Sequence, residues 1–101
     1  MIARAKTVLS NDTTFIKVVI DIERRIASFG CELHTDCYEE LVKDGSRPKN
    51  LWGANLYPND ERKIDFVSMI NIRPADDNRS MEIQNPQIQS KVEEIIKQLF
   101  F

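Results

Sequence analysis

The chain has 101 residues, 42% hydrophobic and 30% charged, with only three glycines and four prolines. That length holds one domain, 1–101, around one core, since two halves would each be too small to bury enough apolar surface. A formal net charge of −2 with interspersed signs argues against nucleic-acid binding through a broad basic face, and no apolar run approaches the ~18 residues of a membrane span.

Residues 1–14 are weakly patterned, and Ser10-Asn11-Asp12 reads as a turn. Thr7-Val8-Leu9 is too short for the apolar part of a signal peptide, so the expectation is a cytoplasmic protein. In that compartment Cys31 and Cys37 stay reduced and behave as small hydrophobes. The segment Phe15–Phe29 supports two readings. Phe15, Val19, Ile22, Ile26 and Phe29 form a helix stripe, whereas the β-branched run Ile16–Ile22 favours a strand. In the strand reading, a turn near Glu23–Arg25 makes a hairpin whose second strand carries Ala27, Phe29, Cys31 and Leu33 on one side.

Asp36 is placed to cap a short helix running to about Lys43, with Tyr38, Leu41 and Val42 inward and Asp44-Gly45 closing it. Two strands follow, Leu51–Pro58 and Ile64–Arg73, joined by the turn residues Pro58-Asn59-Asp60-Glu61. Trp52, Ala54 and Leu56 point to an apolar layer, as do Ile64, Phe66, Ile70 and Ile72; the Trp52 indole N–H then needs a partner there. After a polar loop over 74–85, Asn85-Pro86 starts a helix with Asn as N-cap and Pro at the first position. Its apolar stripe is Ile88, Val92, Ile95, Ile96 and Leu99. The expected fold is α+β, in the order ββαββα, with a four-stranded antiparallel sheet and both helices on one face.

A series of blocks runs in order through the chain: Glu32-Leu33-His34-Thr35-Asp36, Asp44-Gly45-Ser46 and Asn50-Leu51-Trp52-Gly53-Ala54-Asn55-Leu56-Tyr57-Pro58. Ser68-Met69-Ile70-Asn71-Ile72-Arg73-Pro74, Asn78-Arg79-Ser80 and Asn85-Pro86 continue it. The series resembles a family of small prokaryotic proteins catalogued only as a domain of unknown function, over roughly residues 16 to 99. The resemblance implies a free-standing small bacterial or archaeal domain, and it supplies no catalytic residues. It also implies a small residue where Arg25 sits, which favours the turn; the two cysteines are not part of the shared pattern.

In the strand reading Asp21, Glu32, His34, Asn55, Tyr57, Asn71 and Arg73 face away from the apolar layer. His34, Asn55, Asn71 and Arg73, with Arg79 approaching from the next loop, form a candidate site for a small polar or anionic ligand. The plainer alternative is the solvated face of a sheet. The expectation is a non-catalytic polar-ligand-binding or interaction module, self-association being possible through an open sheet edge or Phe100-Phe101. The alternative is a small hydrolase or transferase acting on a phosphate- or carboxylate-bearing molecule through His34 and Arg73. No Gly-x-Ser-x-Gly or phosphate-loop motif is present, so no catalytic residue and no cofactor is assigned. Cys31, His34 and Cys37 have ligand-like spacing, but a closed zinc site needs a second pair that the chain lacks, so no metal is assigned either.

Overall fold

The computed structural model describes residues 1–101 and makes Phe15–Phe29 a hairpin, not a helix. The elements in order are β1 (Ile2–Ala3), β2 (Ile16–Asp21), β3 (Ile26–Phe29), α1 (His34–Lys43), β4 (Leu51–Tyr57), β5 (Lys63–Asp65) and α2 (Pro86–Phe100). The strands form one five-stranded sheet in the order β1-β3-β2-β4-β5, with every neighbouring pair antiparallel. The fold is α+β, as expected, but with a fifth strand at the N-terminus. A two-residue strand has no periodicity to read, which is why β1 is silent in the sequence.

The helices lie on opposite faces of the sheet, which corrects the expected single covered face. Val18, Val19, Ile20 and Asp21 of β2 are all fully buried, as a central strand covered on both sides must be. One face carries Val18, Ile20, Ala27, Trp52, Ala54 and Leu56 against Val92, Ile95, Ile96 and Leu99 of α2. The other carries Val19, Ile26 and Leu51 against Cys37 and Leu41 of α1. Because β3 and β4 both pair antiparallel to β2, they run the same way, and α1 crosses over β2 between them. Phe100 is buried edge-on against Phe29 at 5.4 Å and so is not an exposed docking aromatic.

The β2–β3 turn is set by Asp21, whose Oδ1 accepts from the backbone N–H groups of Glu23 and Arg24 at 3.0 Å. Arg25 then adopts φ +58°, a left-handed conformation that glycine takes at lower cost because it lacks a Cβ. Its guanidinium donates to Glu94 and Gln98 of α2, both at 2.6 Å, and so ties the hairpin to that helix. The α2 start is as the sequence indicated: Asn85 Oδ1 accepts from Gln87 N at 2.8 Å, with Pro86 first in the helix.

Three local expectations are corrected. Asp36 does not cap α1; Leu33 occupies that position without a side-chain bond, and Asp36 lies in the first turn, where its charge complements the helix dipole. Val42 faces solvent rather than the core. The second strand of the last hairpin ends at Asp65 instead of running on to Arg73. Beyond it the chain makes two isolated bridges, Val67 with Glu82 and Arg73 with Asn78, and two single-turn 3-10 helices, Met69–Asn71 and Pro74–Asp76. This segment crosses β4 at Gly53, where an added Cβ would lie 2.5 Å from the Ser68 Cβ. Only glycine permits that approach.

Cys31 and Cys37 form a disulfide, contrary to the expectation of two free thiols. Gly30, at φ +77°, turns the chain out of β3 and α1 begins at once, which brings the two Cα atoms to 5.8 Å. That separation lies in the range a disulfide requires.

A candidate ligand cleft beside strand β4

Of the five candidate residues singled out in the sequence, His34, Asn55, Asn71 and Arg73 gather along β4 and are spent on backbone rather than facing solvent. Asn71 is fully buried. Its Oδ1 accepts from Gly53 N at 2.8 Å and its Nδ2 donates to Gly53 O and Met81 O, both at 3.0 Å. An amide side chain has the same donor and acceptor as a peptide group, so Asn71 takes the place of a strand partner on β4. Asn55 Nδ2 donates to Val67 O at 3.2 Å, leaving its Oδ1 buried and unpartnered. His34 Nε2 donates to Ala54 O at 2.9 Å. Since a carbonyl only accepts, the proton is on Nε2 and the lone pair is on Nδ1.

Arg73 clasps the turn that leads into β4. Nη1 donates to the carbonyls of Pro48 at 3.1 Å and Lys49 at 3.2 Å, and Nη2 donates to that of Leu51. The guanidinium lies 3.9 Å from the centre of the Trp52 ring. Its side chain is 16% exposed, and burial pushes its pKa below the usual arginine range, with Asp76 at 4.0 Å working the other way. It stays cationic. The Nε atom is buried without a partner, and so is Trp52 Nε1, the donor for which the sequence demanded one. Arg79 stands apart: it is exposed, and only its backbone N–H is engaged, to Gln84 Oε1 at 2.8 Å.

Sequence reasoning missed Asn78. It is 2% exposed, and its Nδ2 lies within 3.0 Å of the carbonyls of Asn71, Ser80 and Glu82. Its Oδ1 accepts from Gln84 N at 2.8 Å. The Asn78-Arg79-Ser80 block was the available signal, and it marks a loop organiser.

One open cleft of about 460 Å³ adjoins this scaffold. Thr35 and Tyr38 of α1 form one wall; Pro48, Lys49, Ile70, Arg73 and Asp76 form the rest. Of the expected set only Arg73 lines it. His34, Asn55 and Asn71 do not line it; they bond backbone at Ala54, Val67 and Gly53. Burial lowers the His34 pKa, as does the nearby Lys17 charge, against the raising effect of the Ala54 bond.

The model of a family described as protein of unknown function (DUF5674) matches residues 2–99. The chain belongs to that family. No curated protein and no solved structure matches it. The DUF5674 match spans all five strands, α1, all of α2 but its last residue and every residue of the cleft. No helix of the protein is long and apolar enough to cross a membrane. The disulfide leaves neither Cys31 nor Cys37 as a free thiolate, which removes the zinc-like spacing from consideration.

Proposed function

We propose that this DUF5674 protein is a non-catalytic module that binds a small anionic molecule in the cleft between α1 and the 48–51 turn. The observation that carries this reading is the Arg73 guanidinium. It lines the cleft, it is held in one orientation by carbonyls and an aromatic ring, and its Nε lacks a partner. A cation fixed in advance loses little freedom on meeting a ligand. Lys49 adds a second positive charge, Thr35 and Tyr38 add hydroxyls, and Pro48 and Ile70 supply apolar surface. Together these suit a carboxylate or phosphate carried on a flat apolar body, and the volume suits a molecule of that size.

The enzymatic alternative has less support, because His34 does not line the cleft and its Nε2 proton is committed to Ala54. Self-association through an open edge also has little to stand on, since β1 has two residues and β5 three. The test is an NMR titration of the protein with benzoate and with phenyl phosphate. Amide shifts clustering at Thr35, Tyr38, Lys49 and Ile70 are expected, and Lys49→Ala should weaken binding several-fold at unchanged melting temperature. Shifts confined to other residues, or none from either compound, would overturn the reading.

A further inference from the structure

The Cys31–Cys37 disulfide closes a loop of chain that includes Thr35, part of one wall of the cleft. Cys37 is 1% exposed and packs with Val19, Ile26, Leu41 and Leu51, whereas Cys31 is only half-buried. Between them lie His34, which bonds β4 at Ala54, and Thr35, which faces the cleft. The first turn of α1 has no side-chain cap to hold it, so its unpaired N–H groups depend on the chain being fixed from outside. Ahead of the packed Cys37, two attachments fix it, the disulfide and the His34–Ala54 hydrogen bond. Leu33, at the cap position, is 59% exposed and adds little packing.

We propose that the Cys31–Cys37 bond is a redox-sensitive clasp on the cleft: reduction by a dithiol frees the start of α1 ahead of Cys37 and moves the part of the wall formed by Thr35. The gating of ligand rests on the cleft being a binding site, whereas the release of the helix start does not. In the chemical step a reductant thiolate attacks Cys31 Sγ, the more accessible sulfur, and the S–S bond breaks with its electron pair going to Cys37. Cys37 takes up a proton within the apolar cluster. The reductant's second thiolate then attacks the mixed disulfide, releasing Cys31 as a thiolate that is protonated in turn. The dithiol is oxidised to a disulfide and the protein gains two thiols.

With the linkage gone, the His34 bond alone holds the residues ahead of Cys37, and a single part-buried hydrogen bond opens more readily than a packed core. Thr35 then leaves its place in the cleft wall, while Arg73 and Lys49 stay fixed by the far side, so the binding surface is divided rather than destroyed.

The experiment compares the full chain oxidised and after reduction with dithiothreitol, by amide hydrogen exchange and by benzoate titration. Exchange at residues 33–38 should accelerate at least tenfold on reduction while β2 and β4 amides stay protected. Benzoate should bind about tenfold more weakly to the reduced form, a common size for coupling between two states. Cys31→Ser keeps the core residue Cys37 in place; it should behave as the reduced form does and be indifferent to dithiothreitol. Equal exchange at 33–38 in both redox states would overturn the clasp. Faster exchange with equal benzoate affinity would overturn its control of the cleft. If neither form binds benzoate or phenyl phosphate, the ligand reading fails while the exchange data still decide the clasp.

Discussion

At the scale of single residues, the polar side chains of this protein act chiefly as substitutes for backbone. Asn71 completes the hydrogen bonding of Gly53, and Gly53 must be glycine because Ser68 occupies the space of its Cβ. Gly53→Ala should therefore destabilise by about 2 kcal/mol, the usual scale of overpacking, seen as a melting temperature lower by roughly 10 °C for a domain this size. Adding Ser68→Gly should restore part of the loss; a double variant no better than the single one would show that Ser68 is not what the new methyl meets. His34 makes a pH prediction. Its folded-state pKa is lowered by burial, so above the ordinary value near 6.5 the ring is neutral in both states and stability is unaffected. As pH falls below that value the unfolded chain takes the proton first, and stability declines until the lowered folded value is passed. Glu40 and Asp44 have lowered pKa values, through hydrogen bonds from Ser28 and from Arg4 respectively, and titrate further down. The wild type should thus lose melting temperature between pH 7 and about 5.5, whereas His34→Gln, which keeps a donor for Ala54 but does not titrate, should stay level. Parallel curves for the two proteins would sink this assignment.

At the scale of elements, the two helices are held by different means. The α2 helix starts on a complete local signal, with Asn85 accepting from the first turn and a stripe of Val92, Ile95, Ile96 and Leu99 buried beneath. Removing its cap by Asn85→Ala should cost about 1 kcal/mol, and Asn85→Asp should cost less because a carboxylate accepts the same bonds. Circular dichroism melts would separate the two variants; identical losses would mean that the cap contributes through its amide nitrogen instead. The α1 helix lacks such a cap and depends on its tether to β3 and β4. Its shorter core contact, Cys37 and Leu41, leaves it the easier of the two to loosen at one end.

At the scale of the molecule, the sheet is the middle of three layers, and one of its two edge strands is the two-residue β1. That strand is held by more than its length suggests. The Met1 ammonium donates to Phe29 O at 3.2 Å and lies 3.0 Å from Glu40, while Arg4 reaches Asp44 at 2.5 Å. These ion pairs join the sheet edge to α1. Deleting residues 1–4 should leave a folded protein in which β3 amides lose protection from hydrogen exchange and those of β4 keep it. Loss of protection throughout would mean that β1 is required for the whole fold, not only for its edge.

The sequence by itself determined the elements whose signals are local. The α2 helix, strand β4 and the α+β class follow from caps and alternation acting within a few positions, whereas Phe15–Phe29 reads as helix or hairpin until β2 pairs with both its neighbours. Tertiary structure alone decided how many faces of the sheet are covered, since a buried run such as Val18–Ile20 reads the same from either side. It also decided the meaning of the polar residues. An asparagine facing water and one completing a neighbouring strand have the same chemistry and spacing, and only the segment crossing β4 at Gly53 separates them. The cleft arises in the same way, because its walls come from α1, the turn before β4 and the 70–76 segment, which no local pattern connects.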